Sequence, residues 1–92
     1  MKFQPGQQQR LRAALFSAFP YPGEMATVIR HAEIGTSLDN FLAAPGTTYE
    51  DALSSVVGWV GARNLVENLL WAAHAENDGN EELQAVFIVL VS

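Results

Sequence analysis

The stretch from Asn64 to Leu83, NLVENLLWAAHAENDGNEEL, constrains the fold more than any other. Leu65, Leu69 and Ala73 recur every four residues, and Val66 and Leu70 widen the stripe beside them, with Ala72 at its edge. That period belongs to an amphipathic helix whose apolar arc touches several neighbours. Asn64 is placed to cap its start, with Glu67 three residues on, as in a capping box. Asp78-Gly79-Asn80 stops it, since glycine accepts the left-handed conformation that ends helices. Asn80 can then cap a further helix that opens on Glu81 and Glu82. A broad-faced helix between two breaks is what a small helical bundle builds around.

The rest of the chain reads the same way. Residues 1–6 form a loose end punctuated by Pro5-Gly6. From Gln7 to Phe19, Leu11, Leu15 and Phe19 share a face flanked by Ala14 and Ala18, with Arg10 and Arg12 on opposite sides. Phe16 stands at the margin near Arg12. Pro20-Tyr21-Pro22 ends this helix, and Pro22 suits the first turn of the next. Met25, Val28, Ile29 and Ala32 define a second helix closed by Gly35. Residues 36–43 give a short third element, capped by Thr36 or Ser37, with Leu38, Phe41 and Leu42 on one face. Thr48, three before Asp51, caps a fourth helix with a core face of Leu53, Val56, Val57 and Val60 and with Tyr49 and Trp59 alongside. Its opposite strip of Ser54, Gly58 and Gly61 either admits a neighbour closely or lowers helix propensity, and packing is the favoured role.

Residues 84–91, QAVFIVLV, are rich in β-formers and would pass for a buried strand. No other segment offers a sheet partner, and a lone strand leaves backbone groups unpaired. With the cap at Asn80 the segment reads as a sixth helix, apolar on more than one side. An end so close after this run fits either a piece of a longer protein or a tail that docks on something. The expected architecture is all-α, a six-helix antiparallel bundle, formed by one domain over 1–92.

Composition bounds the function. Ninety-two residues at 49% hydrophobic make one core with little to spare. The absence of cysteine removes disulfides, thiolate catalysis and cysteine-bound metals. Neither a signal segment nor an apolar run of membrane-spanning length is seen, so the simplest location is cytoplasmic. The net charge of −5 is split: residues 1–30 hold Lys2, Arg10, Arg12 and Arg30 against Glu24, or +3, and residues 31–92 hold Arg63 against nine acids, or −8. Acidity argues against nucleic acid as the main partner. The asymmetry gives complementary ends suited to head-to-tail association, although charge alone favours a plainly solvated surface.

Chemistry is thinly represented. His31 and His74 lie outside any HxxxH spacing, and no nucleophile or metal set stands near them in sequence. His74 shares one side of the central helix with Trp71 and Glu67 and reads as a boundary histidine beside a packed tryptophan. Glu76, Asp78, Glu81 and Glu82 could hold calcium loosely, but DGNEE lacks the ligand ladder of an EF-hand, and helix-start charge explains these acids better. No phosphate loop occurs, and a helix-turn-helix built on the second and third helices would present Asp39 and no Arg or Lys to DNA. Trp71 sits off the main stripe, either buried by a second layer, the favoured reading, or exposed as an interface anchor. No cofactor or metal is expected.

Four motifs in order carry a resemblance. LRAALFSAFP (Leu11 to Pro20), Ile34-Gly35-Thr36-Ser37-Leu38, the valine-tryptophan helix from Val56 to Arg63, and AHAENDGNEEL (Ala73 to Leu83) together resemble the effector-associated domain family of the first type, a bacterial family of small helical modules. The family's usual proline after the closing asparagine is Asp78 here, its usual glycine between the fourth and fifth helices is Asn64, and Trp71 replaces something smaller. Both Asp and Asn tolerate turns. The resemblance implies a death-like six-helix bundle, an adaptor that couples a sensor or signalling protein to an effector in bacterial conflict and programmed-death systems, through association with the same or a related domain. The expected contact is a basic patch of Arg10, Arg12 and Arg30 against an acidic patch of Glu67, Glu76, Asp78, Glu81 and Glu82, with Trp71 as a candidate anchor. The rivals are a structural dimerisation or capping domain that buries residues 86–91 against a copy of itself, and a small enzyme or ligand-binding protein with a deep pocket at His31 or His74.

Overall fold

A computed structural model of the protein describes residues 6–91, the side chain of the last excepted. Six helices follow one another: α1 (Gln7–Ala18), α2 (Pro22–Ala32), α3 (Leu38–Leu42), α4 (Tyr49–Ala62), α5 (Val66–Glu76) and α6 (Glu81–Val91). Among the described residues there is no strand. The loose end expected over residues 1–6 lies, apart from Gly6, outside the described residues.

The apolar stripes meet in one core. Leu11 and Leu15 of α1, Met25, Val28 and Ile29 of α2, Leu53, Val56, Val57 and Val60 of α4, Leu69, Leu70 and Ala73 of α5 and Leu83 of α6 are all buried in a single cluster. No charged or polar residue of the described chain is buried with them. In space the main helix neighbours close a ring in the order α1–α6–α5–α2–α3–α4, with α4 also braced against α5 across it. Gly58 of α4 faces α1, where an added Cβ would stand 3.3 Å from the end of the Gln8 side chain, at Nε2.

The helix ends correct two expectations. Asn64 does not cap α5: Leu65 occupies that position, without a side-chain cap bond, and Asn64 has φ 58°. It is the left-handed residue that closes α4, because the Leu65 N–H reaches back to the Val60 carbonyl at 2.9 Å and the Arg63 N–H reaches the same oxygen at 3.3 Å. Glycine suits that conformation best and asparagine next, which is the physical sense of Asn64 standing where the resemblance expects glycine. Nor does Gly79 end α5 by a positive φ. The helix stops at Glu76, and Asn77 leaves it at φ −147° and ψ 71°, outside the helical region.

Other caps fall where the sequence puts them. Thr48 Oγ1 accepts from the Asp51 N–H at 3.1 Å, and Asn80 Oδ1 accepts from the Leu83 N–H at 2.9 Å. Pro22 takes the first turn of α2. At α3 the cap residue is Ser37, yet no side chain bonds the helix start, and Thr36 Oγ1 accepts instead from Asn40 Nδ2 at 2.8 Å.

The α5–α6 turn also fastens α1. Asn77 Nδ2 donates to the Ala18 carbonyl at 3.0 Å, and Asn80 Nδ2 donates to Ser17 Oγ at 3.4 Å. Two asparagines three residues apart thereby satisfy the end of a helix some sixty positions earlier. On either side of them, Ala73 and Leu83 are fully buried.

Candidate protein-binding surface

Trp71 is 55% exposed, contrary to the favoured expectation of burial. The reason is its place on α5: Leu69, Leu70, Ala72 and Ala73 take the core-facing arc, and Trp71 is left on the outer edge. Its ring is nonetheless held, meeting Phe87 of α6 edge-on at 4.8 Å between centroids and His74 at 6.5 Å. His74 stacks on Phe87 at 4.6 Å, and its Nδ1 is buried without a hydrogen-bond partner among the described residues. An aromatic so fixed presents a rigid apolar face at little entropic cost.

The seam between α2 and α5 beside Trp71 is an open groove of about 550 Å³, lined by Trp71, Glu67, Asn68, Glu33 and the small residues Ala72 and Ala75. At one end His31 Nδ1 and Glu76 Oε1 meet at 2.9 Å and bridge the two helices. A histidine and a carboxylate do therefore converge, but on an exposed edge, with the side chains 54% and 36% accessible, and in no deep pocket. Among the described residues no cluster of three or more His, Cys, Asp or Glu could hold a metal ion.

The three arginines do not share one patch. Arg10 lines the α1–α6 seam opposite Glu82, Arg12 lines the α1–α4 seam beside Glu50 and Asp51, and Arg30 lies near Glu33 in a concavity between α2 and α3. Among the described residues the His31–Glu76 contact is the one ion pair within 4.0 Å, so none of these arginines is locked to a carboxylate. Arg63 is engaged: its guanidinium lies 4.1 Å over the Trp59 ring, which itself meets Phe41 edge-on. The acids Asp78, Glu81 and Glu82 are exposed around the α5–α6 turn, with Glu76 just before it, whereas Glu67 belongs to the Trp71 groove. Folding thus divides the acidic set in two.

On α1, Phe16 packs against Tyr49 at 5.8 Å, and the Tyr49 hydroxyl donates to the Phe19 carbonyl at 2.6 Å. Burial, aided by Glu24, pushes the Tyr49 phenol up to about 12. On α6, Ile88 and Val89 are 60% and 52% exposed, flanking the buried Val86 and Leu90. Glu33 and Asn68 escaped the sequence reading. Asn68 shares the 67–68–71–75 flank of α5 and was within reach of helical spacing, but Glu33 enters only through the pairing of α2 with α5.

A six-helix fold with one apolar core and an exposed aromatic groove defines a small all-helical module. Residues 1–88 match effector-associated domain 1, and the chain belongs to that family. The family points to protein–protein association within an effector system. No curated protein and no solved structure matches the chain. No helix of the described residues is long and apolar enough to cross a membrane.

Proposed function

We propose that the protein is an adaptor module of bacterial conflict or programmed-death systems, coupling a cytoplasmic sensor or signalling protein to its effector by docking on the same or a related domain of another polypeptide. The whole chain acts as one interaction domain with the antiparallel, death-like arrangement of its six helices, and it carries no catalysis, nucleic-acid binding or membrane attachment of its own. Family membership carries this reading. An acidic, cysteine-free helical surface with half-exposed Trp71 supports it, because tryptophan held rigid at a surface is the residue type that anchors interfaces.

Docking brings basic side chains of α1, Arg10 and Arg12 with Arg30 in support, against the acids Glu67, Glu76, Asp78, Glu81 and Glu82. Each exposed pair contributes roughly 0–1 kcal/mol, so specificity comes from pattern and multiplicity. Titration calorimetry against a polypeptide bearing a related domain tests this. Arg10→Glu with Arg12→Glu is expected to abolish binding, and Glu81→Lys with Glu82→Lys in the partner copy to restore it. Undiminished binding by the double arginine variant would sink the electrostatic contact.

One observation favours a second reading. Ile88 and Val89 expose apolar surface on α6, as a dimerisation or capping segment would. Ile88→Lys with Val89→Lys would then turn an associating chain into a monomer, whereas the leading reading predicts little change.

A further inference from the structure

We propose that the α2–α5 groove is a receptor for an arginine side chain, and that its occupant is Arg10 on α1 of a second copy of this chain. The proposal rests on the association reading above and specifies its contact. The chain has two tryptophans, and they are treated differently. Trp59 already carries a guanidinium, that of Arg63, 4.1 Å over its ring. Trp71 has no such cation among the described residues, yet it is half exposed, its ring is braced by Phe87, and Glu67 and Glu33 rim the groove beside it.

A π-face with carboxylates at its edge fits a planar cation: the ring takes the face of the guanidinium while a carboxylate accepts its N–H groups. Ala72 and Ala75 keep the floor low enough for a side chain to lie along it.

The cation follows from the fold. Arg63 is occupied on Trp59, and Arg30 stands on α2, the helix that builds the groove itself. Arg12 is half-buried beside Glu50 and Asp51. Arg10 is exposed, without a carboxylate within 4.0 Å among the described residues, on a helix that packs mainly on α4 and α6. Donor and receptor therefore lie on different helices and different faces. Such a contact is heterologous and extends copy to copy, with each molecule offering Arg10 to the next and receiving in its own groove.

That geometry makes a sharp test by sedimentation velocity of the full chain. Wild type is expected to grow with concentration beyond a dimer. Arg10→Ala (no donor), Trp71→Ala and Glu67→Ala (impaired receptor) should each weaken self-association roughly tenfold or more, with the helical circular dichroism unchanged. Glu67 is exposed, so its variant reports on the groove even if Trp71→Ala disturbs packing on Phe87. Mixing Arg10→Ala with either receptor variant should recover one interface and stop at a 1:1 complex. Self-association that survives both receptor variants would overturn the groove and leave the adaptor reading standing on another surface. A wild type that stays at 10.0 kDa would overturn the second copy as occupant, while calorimetry with a related domain judges the adaptor reading separately.

Discussion

Asn64, Asn77 and Asn80 divide three structural tasks that look alike in sequence. Asn77 and Asn80 bond the end of α1, and Asn80 caps α6 as well, whereas Asn64 supplies a left-handed φ. Asn77→Ala should destabilise the protein by about 1 kcal/mol, the worth of one partly buried hydrogen bond, which urea denaturation would register as a lower midpoint with unchanged slope. At Asn64 the backbone decides: Asn64→Ala should cost about 1 kcal/mol and Asn64→Gly should not, since only the former places a Cβ in the disfavoured left-handed region. Tyr49 ties α4 to the end of α1, and its phenol, raised from 10.0 to about 12, stays neutral in the folded chain after it would ionise in the unfolded one. The stability it adds is whole below pH 10.0 and is lost as pH climbs toward 12. Wild type should accordingly lose more stability than Tyr49→Phe across that window in alkaline thermal melts.

At the scale of elements, the sequence is most legible where one face must be apolar. The stripes of α1, α2 and α4 are buried as their periods require, and α6 is helical despite its β-forming residues because no strand could pair with it. Leu83, fully buried at the start of α6, should cost about 2–5 kcal/mol as Leu83→Ala. Ile88→Lys, on the exposed side, should change stability by no more than about 0.5 kcal/mol. Gly58 gives a finer test of the α1–α4 contact. An added Cβ meets only the far end of the flexible Gln8 side chain, so Gly58→Ala should stabilise by up to about 1 kcal/mol through helix propensity, read as a higher melting temperature. Helix ends were less legible, because the same Asn or Gly serves a cap, a left-handed stop or a turn, and hydrogen bonds between distant segments choose among them. Asn64 and Gly79 were misread for that reason, while Thr48 and Asn80 were not.

Across the whole molecule, a net charge split along the sequence does not become a split between two ends in space. The ring of helices sets Arg10 near Glu82 and Arg12 near Glu50 and Asp51, so each basic group has an acidic neighbourhood without being paired within 4.0 Å. Pairing between helices far apart in sequence made this arrangement, and it also brought Glu33 to Trp71 and His31 to Glu76. No local pattern carries that information. The motifs behind the family resemblance, by contrast, were legible because they build the scaffold: Leu11, Leu15, Ile34, Leu38, Val56, Ala73 and Leu83 are all core. Exposed positions such as Trp71, Glu67 and Arg10 are free of that duty, and partner choice resides with them in the proposed adaptor. The central claim, that copies of this domain associate through complementary charge, meets its most direct test in sedimentation equilibrium of the wild-type chain over rising ionic strength. The account predicts an apparent mass above 10.0 kDa at low salt that falls toward 10.0 kDa by about 0.5 M salt, as exposed ion pairs are screened. A mass of 10.0 kDa at every concentration and salt, or association indifferent to salt, would contradict it.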